Sequence, residues 1–208
     1  TAFLAEEYDK AIRDLEKVVS SNEEEWLTDE LYRQLGLAYN QRKQLTPAIT
    51  TLERIQPDNR TSDVWEALGT AYFTQKKYEQ AVEALMPVKT EISIAPQLGK
   101  AYIYLKQPQN GMPFLTKAIE AGSDEAELFQ MRGAIFYDQK LYEPALADLK
   151  QARELGLTDG MNYALLGGAQ YYLDQFPSAV ENLERAVAKG VKTNEVYYTL
   201  GNAQAKTQ

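Results

Sequence analysis

Ser62-Asp63-Val64-Trp65-Glu66-Ala67-Leu68-Gly69-Thr70-Ala71-Tyr72, followed closely by Ala81-Val82-Glu83-Ala84-Leu85, is the stretch that decides the fold. Trp65, Leu68 and Tyr72 recur at three and four residues, the spacing of one helical face. Ala81 and Leu85 open a second apolar stripe after a polar break too short for anything but a tight turn. The same arrangement recurs along the chain. Half of the 12 glycines, Gly36, Gly69, Gly99, Gly133, Gly167 and Gly201, fall at intervals of 33, 30, 34, 34 and 34. A second series, Ala11, Ala48, Ala81, Gly111, Ala145 and Ala179, is followed four residues later by Leu15, Leu52, Leu85, Leu115, Leu149 and Leu183. A fixed period near 34 marks repeated supersecondary units.

Each period carries two helical patterns. Phe129, Gly133 and Phe136 share one face, then Tyr142, Ala145, Leu149 and Ala152 share another, with Asp138-Gln139-Lys140 between them. N-cap candidates precede most first helices: Thr28/Asp29, Thr61/Ser62, Ser123/Asp124, Thr158/Asp159 and Thr193/Asn194. The unit is therefore a helix hairpin. A mid-helix glycine costs about 1 kcal/mol against alanine, which makes sense where two backbones approach closely. The first-helix Gly is expected to face the second-helix Ala.

Composition narrows the chemistry. The 208 residues include no Cys and no His, which removes thiol chemistry, disulfides, His-dependent zinc sites and the Ser-His-Asp arrangement. Thirty acidic against 22 basic residues give a net charge of −8, unsuited to nucleic acid or anionic lipid. Apolar runs are far too short for membrane insertion, and the opening Thr1-Ala2-Phe3-Leu4-Ala5-Glu6-Glu7 has no basic leader-like region. Cytoplasm and bacterial periplasm are both compatible with a cysteine-free chain.

On these residues the chain resembles the tetratricopeptide repeat, with its W-x-x-L-G-x-x-Y, A-x-x-x-F pattern over 34 residues. Trp65-x-x-Leu68-Gly69-x-x-Tyr72 matches the first half, and Tyr32-x-x-Leu35-Gly36-x-x-Tyr39 with Ala48-x-x-x-Leu52 matches with Tyr for Trp. The resemblance covers the whole chain. It implies an all-α fold, a right-handed superhelical solenoid of about six stacked antiparallel helix hairpins. The expected division is a single array over 1–208. It has a partial repeat at 1–25, repeats at 29–61, 62–91, 92–125, 126–159 and 160–193, and a partial repeat at 194–208. Residues 1–19 are expected to hold the tail of a first helix and a whole second helix. The half-repeats at both ends point to a piece of a longer array, and each end should seek a neighbour.

Several positions depart from the pattern. The closing proline is absent from the expected turns. The unit at 92–125 has only 13 residues from Leu85 to Leu98, with Ala95 at the Trp position, Pro96 near its start and Gly111 for alanine. Arg132 replaces a leucine, and Gln170 and Gln204 replace closing tyrosines. These changes are expected to weaken packing locally, most of all around residues 90–112.

No catalytic, cofactor or metal site is expected. Glu23-Glu24-Glu25 and Asp124/Glu125/Glu127 read as solvated helix ends, Asp58–Asp63 lacks the glycine of a calcium loop, and Gly167-Gly168 lies in a helical register without a phosphate-loop lysine. Aligned first helices give three rows: Arg33, Glu66, Gln97, Gln130, Ala164, Tyr198; Leu37, Thr70, Lys100, Ala134, Gly168, Asn202; and Asn40, Phe73, Ile103, Tyr137, Tyr171, Ala205. They lack the Lys/Asn pattern with which some members of the family clamp a terminal carboxylate. In the family these rows line the concave face. Ala134, Ala164 and Gly168 then form a low floor between Tyr137, Tyr171, Tyr172 and Tyr198, a groove for an extended segment or a helix. The candidate partner-binding residues are these four tyrosines with Gln130, Asn202, Tyr104 and Lys100. Glu127, Asp138 and Glu195 favour a neutral or basic protein partner. The resemblance implies a protein-interaction scaffold. Head-to-tail self-association is the alternative, Tyr197, Leu200 and Gly201 of one chain receiving Ala11, Leu15 and Val18 of the next.

Overall fold

The computed structural model describes residues 2–21 and 26–207, with the side chains of 2–5 left aside. The described residues form twelve α-helices and no strand. First helices are α2 (Asp29–Gln41), α4 (Ser62–Thr74), α6 (Ala95–Tyr104), α8 (Ala126–Asp138), α10 (Gly160–Tyr172) and α12 (Asn194–Lys206). Second helices are α1 (Ala2–Ser21), α3 (Leu45–Leu52), α5 (Tyr78–Leu85), α7 (Pro108–Glu120), α9 (Tyr142–Glu154) and α11 (Phe176–Ala188). The chain divides into two compact units, Thr1–Leu105 and Lys106–Gln208. The division falls between α6 and α7, one helix after the shortened Leu85–Leu98 stretch.

Hairpins close the same way in both units. The residue five before each alanine of the second series takes a left-handed backbone: Lys43, Lys76, Lys106, Lys140 and Asp174, with φ between 56° and 61°. At Lys43, Lys76, Lys140 and Asp174 this N–H and the next one bond back to the end of the first helix, as in Lys140 N–H to Tyr137 O at 2.9 Å and Leu141 N–H to Phe136 O at 2.9 Å. A left-handed lysine is strained by roughly 1 kcal/mol, which the packed hairpin offsets. At the N-terminus the equivalent residue is Glu6, which continues α1. Residues 2–21 are thus one uninterrupted helix rather than a helix tail, a turn and a second helix.

The repeating glycines leave room for leucine more than for alanine. A Cβ on Gly36 or Gly69 would lie well inside contact distance of Leu52 or Leu85. One on Gly133 or Gly167 would meet Leu149 Cγ at 2.9 Å or Leu183 Cγ at 2.6 Å. The alanine contributes its backbone: Ala145 O and Ala179 O lie 3.3 and 3.1 Å from those same points. These leucines are fully buried.

The polar departures are absorbed by pairing. Arg132 makes a two-pronged ion pair with Asp148 of α9, at 2.7 and 2.8 Å. The contact holds its guanidinium pKa above the ordinary value. Gln170 is buried and accepts from Asn182 Nδ2 at 2.7 Å. Gln204 donates to Glu184 Oε1 at 3.3 Å. Polar partners therefore replace the lost apolar contacts. Pro96 stands in the first turn of α6, where a missing N–H costs nothing. The prolines at odds with helix geometry include Pro113, which lies inside α7.

Capping largely follows the sequence. Thr28, Asp159 and Thr193 each accept from a backbone N–H of the first turn, for Asp159 at 2.7 Å from Asn162. Thr61 occupies the cap position of α4, but its hydroxyl donates to Asp63 instead. For α8 the cap position falls to Glu125 rather than Ser123 or Asp124. Ser123 Oγ instead accepts from Glu125 N–H within the preceding turn, at 3.4 Å.

Candidate functional site

The second unit holds most of the candidate tyrosines. Tyr137 is near the end of α8, and Tyr171 and Tyr172 close α10. Tyr172 stacks on Tyr142, ring centroids 4.4 Å apart and ring planes nearly parallel. Tyr137 meets Tyr142 and Tyr172 edge-on at 5.7 and 6.3 Å, and Tyr171 lies between Tyr172 and Phe176 at 5.4 and 5.8 Å. Tyr142 and Phe176 open α9 and α11, so each hairpin turn folds one aromatic onto another five residues away. Tyr172 remains 50% exposed and Tyr198, on α12, 73% exposed. Offset and edge-on rings of this kind add about 0.5–1.5 kcal/mol per pair beyond area burial.

The floor is smaller than the row pattern implies. A Cβ on Gly168 would lie 2.5 Å from Tyr137 Oη, so the Tyr137 ring already covers that glycine. A pocket of about 140 Å³ remains beside it, walled by Tyr137, Ala164, Leu165, Val191 and Val196, with Glu195 at its rim. Burial first, then the Glu195 carboxylate, pushes the Tyr137 hydroxyl pKa well up. Ala134 and Asn202 are half-buried. Gln130 donates to both Asp159 oxygens at 3.1 Å, bracing the cap of α10.

The remaining two candidates lie in the first unit. Lys100 and Tyr104 belong to α6, and Tyr104 stacks on Tyr78 at 4.7 Å with Phe73 6.2 Å away. Phe73, Tyr78 and Tyr104 occupy the repeat positions of Tyr137, Tyr142 and Tyr172, so each unit carries the same aromatic triad. Tyr78 and Tyr142 are absent from the sequence-based set. The available signal was an aromatic five residues after a first-helix aromatic, across the turn.

The first unit also holds a groove of about 650 Å³ along α1, α2, α4 and α6, lined among others by Tyr8, Leu37, Glu66, Thr70 and Gln97. None of these is among the candidates drawn from the sequence, which centre on the tyrosines of the second unit. In this unit Asp63 is bound by Arg33 and Asp29 by Asn59, at 2.7 Å for the latter. Glu23, Glu24 and Glu25 lie outside the described residues. Among the described residues no group of three or more acidic, His or Cys side chains could hold a metal ion, and no helix is long and apolar enough to cross a membrane.

Comparison with known proteins agrees with the helical architecture. Residues 62–86, the stretch that carries the clearest motif, match the tetratricopeptide repeat family. YrrB, described as a TPR protein with an unusual peptide-binding site, superposes with a TM-score of 0.68 at 16% identity over 88% of this chain and 96% of its own. MamA from AMB-1 gives 0.66 at 19% identity over 82% and 96%, and MamA from MSR-1 gives 0.60 at 18% over 86% and 98%. At these identities the likeness establishes the fold, that of tetratricopeptide helix hairpins. Comparison with curated proteins gives no match.

Proposed function

We propose that this chain acts by binding rather than catalysis, holding a segment of a neutral or basic protein partner against the first helices of its second unit. The aromatic ladder Tyr137–Tyr142–Tyr172–Tyr171 carries the reading. It is a preorganised surface, fixed by ring-on-ring packing, with Tyr172 and Tyr198 left open to solvent. Rigid aromatics bury large area at low rotamer cost, and such residues dominate interface energetics. Asn202 is the polar group nearest to free use, whereas Gln130 would first have to release Asp159.

A photo-crosslinking residue in place of Tyr198, with a second in place of exposed Lys150 on α9 as control, tests this in cells. The expected result is a discrete protein adduct from 198, lost on adding Tyr172→Ala, and none from 150. Adducts only from 150 would move the site off this face.

One observation favours head-to-tail self-association as a second reading. Gly201 has nothing within 4 Å of its Cβ position, while Gly36, Gly69, Gly133 and Gly167 each receive a leucine. Leu15 and Ala11 remain half-buried, whereas their counterparts Leu52 and Ala48 are fully buried. Light scattering against concentration tests it: a rising mass that Gly201→Trp abolishes supports assembly, and a constant monomer mass excludes it.

A further inference from the structure

The two inner rows become small together only in α10, at Ala164 and Gly168; the other first helices carry at least one longer side chain there, such as Glu66, Lys100 or Gln130. That coincidence opens the pocket beside Tyr137. Its volume of about 140 Å³ is close to the roughly 150 Å³ cavity that accepts a benzene ring. The walls are the Tyr137 ring and the apolar groups of Ala164, Leu165, Val191 and Val196, while the charged group at the rim is the exposed carboxylate of Glu195. Thr193 and Thr199 add hydroxyls but no cation. Asp138 adds to the negative field at Tyr137. A ring fits the volume, and a positive charge fits the rim.

We infer that this pocket seats one aromatic side chain of the partner, flanked by a lysine or arginine that reaches Glu195. The inference rests on the proposed binding face and specifies its anchor. Every lining group belongs to the second unit, so the site is complete within residues 106–208.

Phenethylamine, a ring carrying an ammonium group, and phenylacetate, the same ring carrying a carboxylate, are the probes, followed by methyl NMR on the 208-residue chain. Phenethylamine should shift the methyl signals of Ala164, Leu165, Val191 and Val196. Phenylacetate should bind about fivefold more weakly, the difference expected for one partly exposed charge pair. Glu195→Gln should make the two probes equal, and Ala164→Met, which fills the pocket, should erase both sets of shifts. If Ala164→Met lowers the melting temperature sharply, Glu195→Lys decides instead, because an exposed rim residue leaves the fold intact and should reverse the preference. Equal binding of the two probes to the unaltered chain, or shifts confined to other methyls, would overturn the anchor. Crosslinking from 198 would then still stand or fall separately, so loss of the anchor and loss of the binding face are told apart.

Discussion

The two units end their second helices in different ways. In the first, α3 and α5 run for only 8 residues and are followed by 3₁₀ turns that contain proline, Pro57–Asn59 and Met86–Val88. In the second, α7, α9 and α11 each run for 13 residues and stop at Gly122, Gly156 and Gly190, with φ from 90° to 95°. There the N–H after the glycine reaches back into the helix, as in Leu157 to Ala152 O at 2.9 Å. Pro87 has no N–H to bond back to the Glu83 carbonyl, so it limits α5, whereas glycine lets the helix complete its last turn and reverse. Both units nevertheless keep the left-handed hairpin turn and the same aromatic triad. What the repeat requires is the close approach within a hairpin; how the chain leaves it is free to vary.

The units differ again inside their hairpins, and this can be broken experimentally. The first packs Leu68 against apolar neighbours, while the second substitutes the Arg132–Asp148 pair. Asp148 is 6% exposed. Arg132→Leu should therefore cost about 3–5 kcal/mol, because it strands a buried carboxylate. Adding Asp148→Ala should restore most of the loss, and chemical denaturation of the single and double variants measures both. A small loss in the single variant would mean the pair is no more than a surface contact.

The glycine series should show opposite signs at two positions. Gly69→Ala, meeting Leu85, should destabilise by about 1–3 kcal/mol. Gly201→Ala, with open space around it, should stabilise by about 0.5–1 kcal/mol through helix propensity alone. Equal melting temperatures for the two would refute the packing register. For the segment where the units divide, hydrogen exchange should show amides of 90–112 exchanging faster than those of 126–155. Pro113→Ala should slow exchange in α7 by restoring a backbone hydrogen bond, stabilising it by about 1 kcal/mol or more. Equal protection of both segments would show the deletion to be harmless. At the small end, Lys76→Gly and Lys140→Gly should each gain about 0.5 kcal/mol by relieving a left-handed lysine, alike in the two units. Lys150→Ala on exposed α9 should stay within about 0.5 kcal/mol as the control.

The period, the hairpins, the buried leucines and most caps were legible in the sequence because each depends on contacts within about half a repeat. Gly69 and Leu85 are sixteen residues apart in every equivalent pair, so a shared spacing reports a shared contact. Departures from the pattern were visible as well, but not their consequences. Arg132 read as a packing loss until Asp148 was found opposite it, and Gln170 until Asn182 was. The N-terminal turn was expected by counting, but Glu6 continues the helix where lysine or aspartate takes a left-handed backbone in the other hairpins. Gly168 looked like open floor from its row alone. Tyr137, on the previous first helix, covers it, and which way that ring turns depends on Tyr142 and Tyr172 together. A repeat sequence fixes which positions face one another; the shape of the surface between hairpins follows from how several side chains, each on a different helix, divide the same space.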